Sequence, residues 1–238
     1  MEWRDEGLVI GIRRYGESSA IVEAMTRSHG RHLGLVRGAR SSRLQAVLQP
    51  GNSLALVWRA RLDEHLGAYA VEPLNLRAGR LIASGMALAG ISYLGALTRL
   101  LPERDAHEAI FAALTLIADN LDSRQVAPLV ARFEMQVLSE CGFRLDLETC
   151  VATGARDDLI YVSPKSGRAV SAAAGAPWRE RMLPLPAFLR GGSAPPSLAE
   201  LEGAFRLTRF FLERDLFGAR GLEVPDARRA FLAAALRE

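Results

Sequence analysis

The sequence predicts an α+β chain in which a small β-barrel precedes a group of helices. Three observations predict it: strand-length apolar runs as far as Pro73, helical periodicity from Leu76 onward, and an arginine-rich segment set between two of the strands. The expected division is a nucleic-acid-binding barrel domain at residues 1–75 and a helical domain at 76–238, the latter carrying an irregular insert at 142–196.

The strands come first. Leu8–Arg14, Ala20–Thr26, His32–Val36, Ser53–Arg61 and Leu66–Val71 are rich in Val, Ile, Leu, Tyr or Trp, and Gly16, Gly30, Gly38, Pro50, Gly51 and Gly67 break them. Five short strands suit an OB-like barrel (the OB fold), which binds single strands on one open face and its flanking loops. Leu54, Leu56 and Trp58 share one face at period two, so Trp58 reads as a plug of the barrel in preference to a base-stacking platform.

Helical spacing follows over Leu76–Leu101, ended by Pro102, then Ala106–Leu121, then Val126–Cys141 before Gly142. In the third, Val130, Phe133, Val137, Leu138 and Cys141 make one apolar face, with Arg132, Gln136 and Glu140 opposite. The uncharged run Leu81–Thr98 approaches bilayer-spanning length, but Gly85, Gly90, Gly95 and Ser92 weaken it; it reads as a buried core helix, and no membrane partner is expected. Ser197-Leu198-Ala199-Glu200 after two prolines forms a capping box, launching a helix that faces Leu201, Phe205, Thr208, Phe211 and Leu212 inward. A last helix spans Pro225–Leu236, and the Gly, Ala, Pro and Ser of 142–196 predict little regular structure.

Apolar residues make up 49% and charged residues 24% of the chain, which excludes a mainly disordered protein, and a net charge of +3 is only mildly basic. Where the charge sits therefore matters more than its sum. From Ala24 to Arg61 the chain carries Arg27, Arg31, Arg37, Arg40, Arg43, Arg59 and Arg61 without one Asp or Glu, an electrostatic footprint for a polyanion. At its centre, Val36-Arg37-Gly38-Ala39-Arg40-Ser41-Ser42-Arg43 sets arginines three apart among small residues, in the segment Gly38–Gln49 that joins the third and fourth strands. These seven are the expected nucleic-acid-binding residues. If about five of them each neutralise one phosphate, the log-log salt slope for a single strand is about −3.5. Arg13 and Arg14 extend the surface less securely, because Glu17 is close. Lys165 is the only lysine, a bias that coding composition produces as readily as selection for bidentate contacts.

Catalytic constellations are missing. Gly85-x4-Gly90-Ile91-Ser92 lacks the lysine of a phosphate loop, no Gly-x-Ser-x-Gly occurs, and Asp63/Glu64, Asp146/Glu148 and Asp157/Asp158 are neighbouring acids that read as solvated loop or cap charges, not as carboxylates paired across a cleft. His29 and His32 flank Gly30-Arg31 and read as turn or phosphate-facing residues, not as metal ligands; Cys141 reads as packing. The expectation is a binder without cofactor, not an enzyme. Two cysteines and no hydrophobic leader after Met1 predict a cytoplasmic, reducing location without disulfides.

Several segments carry a resemblance. Asp5-Glu6-Gly7-Leu8-Val9, Tyr15 to Val22, Thr26 to Gly30, Val36 to Ser41, Leu48-Gln49-Pro50, Arg132-Phe133-Glu134 leading to Cys141-Gly142-Phe143, and Arg206 to Phe210 stand in the order found in the RecO family of bacterial recombination mediators, which the chain resembles over almost its whole length. The resemblance implies an N-terminal OB fold, a helical domain, binding of single- and double-stranded DNA, annealing of complementary strands, and work with RecR to load RecA onto DNA coated by single-strand-binding protein. It implies a nucleoid-associated location and no nucleotide hydrolysis. It also implies capture of the acidic, hydrophobic C-terminal tail of single-strand-binding protein, for which Arg132, at the edge of the third helix's apolar face, is the candidate.

Many members of that family carry a four-cysteine zinc module in the insert, and here the pattern is degenerate. Its positions fall on Cys150, Thr153 and about Ser171 and Ala174, so no metal is expected. Leu159, Ile160, Tyr161, Val162 and Val170 are expected to supply a small apolar substitute. The competing reading of the whole chain is a non-catalytic RNA-binding or protein-adaptor module on the same barrel, separable by competition between DNA and RNA of equal length.

Overall fold

The computed structural model describes residues 1–192 and 194–237. Five strands, β1 (Glu2–Tyr15), β2 (Ser19–Thr26), β3 (Arg31–Val36), β4 (Ser53–Arg59) and β5 (Ala68–Asn75), close into a barrel in the order β1-β2-β3-β5-β4. All neighbours are antiparallel except β3 and β5. The 14-residue β1 serves two partners: Glu2–Leu8 pairs with β4 and Gly7–Tyr15 with β2. It starts six residues earlier than the expected Leu8, because Glu2, Arg4, Asp5 and Glu6 give no apolar run while still alternating around Trp3. The segment expected as a loop between β3 and β4 holds a short helix, α1 (Ser42–Val47), whose first turn is capped by Ser41 Oγ accepting from Leu44 N–H at 3.4 Å.

Period-two alternation sends Ala20, Val22 and Ala24 of β2 and Leu54, Leu56 and Trp58 of β4 inward. Trp58 is 1% exposed and donates its indole N–H to the Leu66 carbonyl at 3.0 Å, so it plugs the barrel. Trp3 stacks beside it at 5.6 Å, His32 meets both indoles edge-on, and Tyr69 meets Trp3. His32 thus belongs to the core, which corrects the phosphate-facing reading; it sits on the inner side of β3 with the Tyr69 hydroxyl 3.1 Å from Nδ1. His29 stacks on Trp3 at 4.1 Å and meets Asp5 at 2.7 Å.

Beyond the barrel run α2 (Ala78–Ile82), α3 (Gly85–Thr98), α4 (Glu108–Asn120), α5 (Ala127–Glu140), β6 (Leu159–Val162), β7 (Ala169–Ser171), α6 (Ala172–Gly175), β8 (Leu183–Pro184), α7 (Leu198–Phe211) and α8 (Asp226–Ala235). The helix expected over Leu76–Leu101 is broken at Ser84, which leaves the helical region (φ −119°, ψ 118°) and caps α3 by accepting from Ala87 N–H. The uncharged α3 is a core helix with Tyr93, Leu94 and Leu97 fully buried, and no helix among the described residues is long and apolar enough to cross a membrane. Gly95 lets it approach β1: a Cβ there would lie 2.9 Å from the Ile10 carbonyl oxygen.

Two compact units result. One comprises Met1–Ser123 with Pro225–Ala234, so α2, α3 and α4 cluster with the barrel. Arg77 explains the attachment: its side chain is 3% exposed, donates to Asp119 at 2.5 Å and to Ser53 Oγ at 2.8 Å, and so bolts α4 to the start of β4. Asn52 adds a second tie, its side-chain oxygen accepting from Ala78 N–H at 2.9 Å.

The other unit comprises Arg124–Val224 and the residues after Ala234. In it α5 packs on α7 through Val130, Phe133, Val137, Phe205 and Phe211, all buried, and the Thr208 hydroxyl donates to the equally buried Glu134 carboxylate. The Ser197/Glu200 capping box forms as expected, both reciprocal bonds being present. The insert is not irregular throughout: β6, β7 and β8 form a three-stranded sheet in the order β7-β6-β8. Leu159, Val162 and Val170 are buried there, but the break in register between Leu159 and Tyr161 leaves Ile160 exposed to solvent, correcting its place in the apolar substitute.

Burial, with the Arg104 charge second, pushes the His32 imidazole down to about 4, while its unfolded value is about 6.5. Between those values the unfolded chain binds the extra proton, so barrel stability should fall by up to about 3 kcal/mol as pH drops from 6.5 to 4. Following the ring carbons by NMR should give a His32 titration near 4; titration at the unfolded value would show a hydrated ring and a looser barrel.

Candidate nucleic-acid interface

The seven arginines between Ala24 and Arg61 separate into two groups once their partners are visible. Arg27 is paired with Glu6 at 2.8 Å and lies over the Phe111 ring; Arg59 is held by both Glu2 oxygens at 2.8 and 3.3 Å. Arg31 is 16% exposed, bonded to Glu23 at 2.9 Å and 4.0 Å from Glu103. These three are compensated by carboxylates from β1, β2 and the segment before α4. Their guanidinium groups hold the pairs just described.

The remaining four are exposed and have no carboxylate partner among the described residues. Arg37 follows β3, Arg43 lies in the first turn of α1, and Arg61 lies in the β4–β5 loop. Arg40 donates to the Glu17 carbonyl at 2.7 Å, a neutral partner that fixes the side chain against the β1–β2 turn and leaves its charge uncompensated. Gln45 in turn donates to the Arg40 carbonyl at 2.8 Å, so the loop is held by its own hydrogen bonds.

Strand register defines the face these groups border. Gly11 pairs with Glu23 and Arg13 with Ile21 across β1–β2; Ile21 pairs with Leu35 and Glu23 with Leu33 across β2–β3. Since Val22 and Ala24 face inward, Arg13, Ile21, Glu23, Leu33 and Leu35 point to the outer side, with Ile21 buried and Glu23, Leu33 and Leu35 partly exposed, and Arg37 continues the β3 series two residues beyond Leu35. An apolar strip is thus flanked by Arg13 and Arg37 at one end. Arg14 is exposed beside it on β1. Arg99, from the residue after α3, reaches the other end, donating to Glu23 at 2.7 Å and to the Ile10 carbonyl at 3.0 Å. Sequence reasoning missed Arg99; the signal was a lone cation just past an uncharged helix, where a C-terminal charge is favourable.

In the second unit, Arg132 donates to the carbonyls of Phe188 and Gly192 at 3.1 and 3.5 Å and lies over the Phe188 ring. It organises the turn Ala187–Arg190 while keeping an exposed surface. One turn further along α5, Met135 begins a cleft of about 610 Å³ walled by Leu145 and Leu189 and bordered by Arg144, Arg156 and Arg190. Two of the degenerate metal positions meet in the fold: Cys150 Sγ lies 3.3 Å from Ser171 N and 3.5 Å from Ser171 Oγ. One thiol, the hydroxyls of Thr153 and Ser171 and the methyl of Ala174 do not fit a structural zinc, which needs four nitrogen, sulfur or carboxylate ligands. Among the described residues no group of three or more His, Cys, Asp or Glu could hold a metal ion.

Two family models match the chain: Recombination protein O N terminal over residues 1–77 and Recombination protein O C terminal over residues 83–222. Proteins named DNA repair protein RecO resemble it throughout. That of Methylocella silvestris is 61% identical over 236 residues, covering 98% of this chain and 95% of the relative. That of a Chelativorans species is 59% identical over 239 residues, covering 100% and 96%, and that of Methylorubrum extorquens 53% over 240 residues, covering 98% of each. With both halves matched and relatives alike from end to end, the chain belongs to the RecO family.

Proposed function

We propose that this chain is a non-catalytic, DNA-binding recombination mediator of DNA repair, and that single-stranded DNA lies across the outer face of β1, β2 and β3 of an OB-type barrel. The observation that carries the reading is the set of arginines without carboxylate partners, Arg13, Arg37, Arg40 and Arg43, gathered around that face and its bordering loops. Phosphates neutralise such charges with release of counterions, and the strip of Leu33 and Leu35 offers apolar contact to sugars and bases. Arg61, on the β4–β5 loop that flanks the binding face of OB barrels, extends the contact. Arg27, Arg31 and Arg59 serve the barrel's own ion pairs.

Membership of the RecO family supports a role in DNA repair; within that role the proposal extends to annealing of complementary strands, binding of double-stranded DNA, and action with RecR to load RecA where single-strand-binding protein coats the DNA. For capture of that protein's acidic, hydrophobic tail, we place the tail beside Arg132 and the neighbouring apolar cleft, where a carboxylate meets guanidinium groups next to Met135 and Leu189.

Replacing Arg37, Arg40 and Arg43 together by Ala should flatten the salt slope of single-strand binding by about 2, from three lost phosphate contacts. Fluorescence anisotropy over a salt series measures it; an unchanged slope, or RNA of equal length outcompeting DNA, would contradict the reading. Arg132→Ala should leave oligonucleotide affinity intact and weaken binding of a peptide ending in the acidic tail. Unaltered peptide affinity in a titration would remove Arg132 from the site.

A further inference from the structure

Glu23 is the one carboxylate on the outer face of β2, between the buried Ile21 and Met25, and it is 13% exposed. Its Oε1 accepts from Arg31 at 2.9 Å and its Oε2 from Arg99 at 2.7 Å. A cleft of about 250 Å³ opens beside it, lined by Gly11, Arg13, Ile21, Glu23, Leu33 and Arg99. Gly11 makes room for the arrangement: a Cβ at that position would collide with the Arg99 guanidinium and lie 3.0 Å from Glu23 Oε2.

We propose that Glu23 closes a phosphate site, its carboxylate standing in for the phosphodiester that Arg99 and Arg13 take when single-stranded DNA binds. Arg13 borders the cleft with no carboxylate partner among the described residues, so an entering phosphate meets one available cation at once. Arg99 supplies the second by turning from Glu23 to the phosphate. Its side chain is 44% exposed, so the guanidinium turns toward an entering phosphate from the water-facing side of the pair. Glu23 is not stranded by the exchange, because Arg31 stays on its other oxygen. A guanidinium that satisfies a carboxylate with a directed N–H is also matched to a phosphate oxygen, and the apolar walls Ile21 and Leu33 suit the sugar or base on either side. The carboxylate therefore tunes how tightly the face holds DNA, in the sense of weakening it, which suits a protein that must hand a strand on. This inference rests on the reading of the β1–β2–β3 face as the DNA-binding surface.

The test is anisotropy of a labelled oligothymidylate over a salt series with the full chain. Glu23→Gln should bind about threefold more tightly than wild type at every salt concentration with an unchanged slope, because Arg99 then makes the same phosphate contact without a competing carboxylate. Arg99→Ala should flatten the wild-type slope by about 0.7. In the double variant Glu23→Gln/Arg99→Ala the gain should vanish, whereas a gain from net charge alone would persist there. No gain in affinity in Glu23→Gln, an unchanged slope in Arg99→Ala, or a gain that survives in the double variant, overturns the proposal. The triple loop variant separates the two levels: if it loses affinity while Glu23→Gln is silent, only the closed phosphate site fails, and if it binds as tightly as wild type, the DNA face itself fails.

Discussion

Charge compensation on the barrel decides what the rest of the surface can do. Glu2, Glu6 and Glu23 stand on β1 and β2 and consume Arg59, Arg27 and Arg31, tying strand ends to one another and to the segment before α4. What they leave over is a positive border around one face. Surface ion pairs of this kind contribute little stability each, about 0–1 kcal/mol, so their main effect is on where positive potential survives.

That division was not legible in the chain. The absence of acid between Ala24 and Arg61 made seven arginines look equivalent, but the carboxylates that neutralise three of them lie 8 to 57 residues away in sequence and are brought near only by strand pairing. Arg13 was visible as a cation at a strand end; Arg99 became part of the same face only through the packing of α3 on β1, which depends on Gly95 and Gly11. Glu134, buried against Thr208, gave no sign in the α5 pattern beyond a charged residue beside Phe133.

The fold was more readable because its signals are local. Alternating apolar residues with glycine breaks located all five strands, and the Ser197/Glu200 box located the start of α7. Failures came where tertiary context supplied what composition lacked. The first seven residues, charged at four positions, form a strand because β4 pairs with them; Ser84 stops a helix that hydropathy alone would continue; and the Gly- and Ala-rich insert builds a sheet from strands of two to four residues. His32 carried no sequence mark distinguishing it from His29, yet His32 is buried among the aromatic rings while His29 stacks on Trp3 from the partly exposed side.

The direct measurement is a backbone and arginine side-chain NMR titration of the chain with a short single-stranded oligonucleotide. Shifts should concentrate on residues 11–21 and 33–45 and on the guanidinium of Arg99, with Arg27 and Arg59 unmoved. Perturbations centred on Arg27 and Arg59, or confined to residues 124–224, would contradict the assignment of the β1–β2–β3 face.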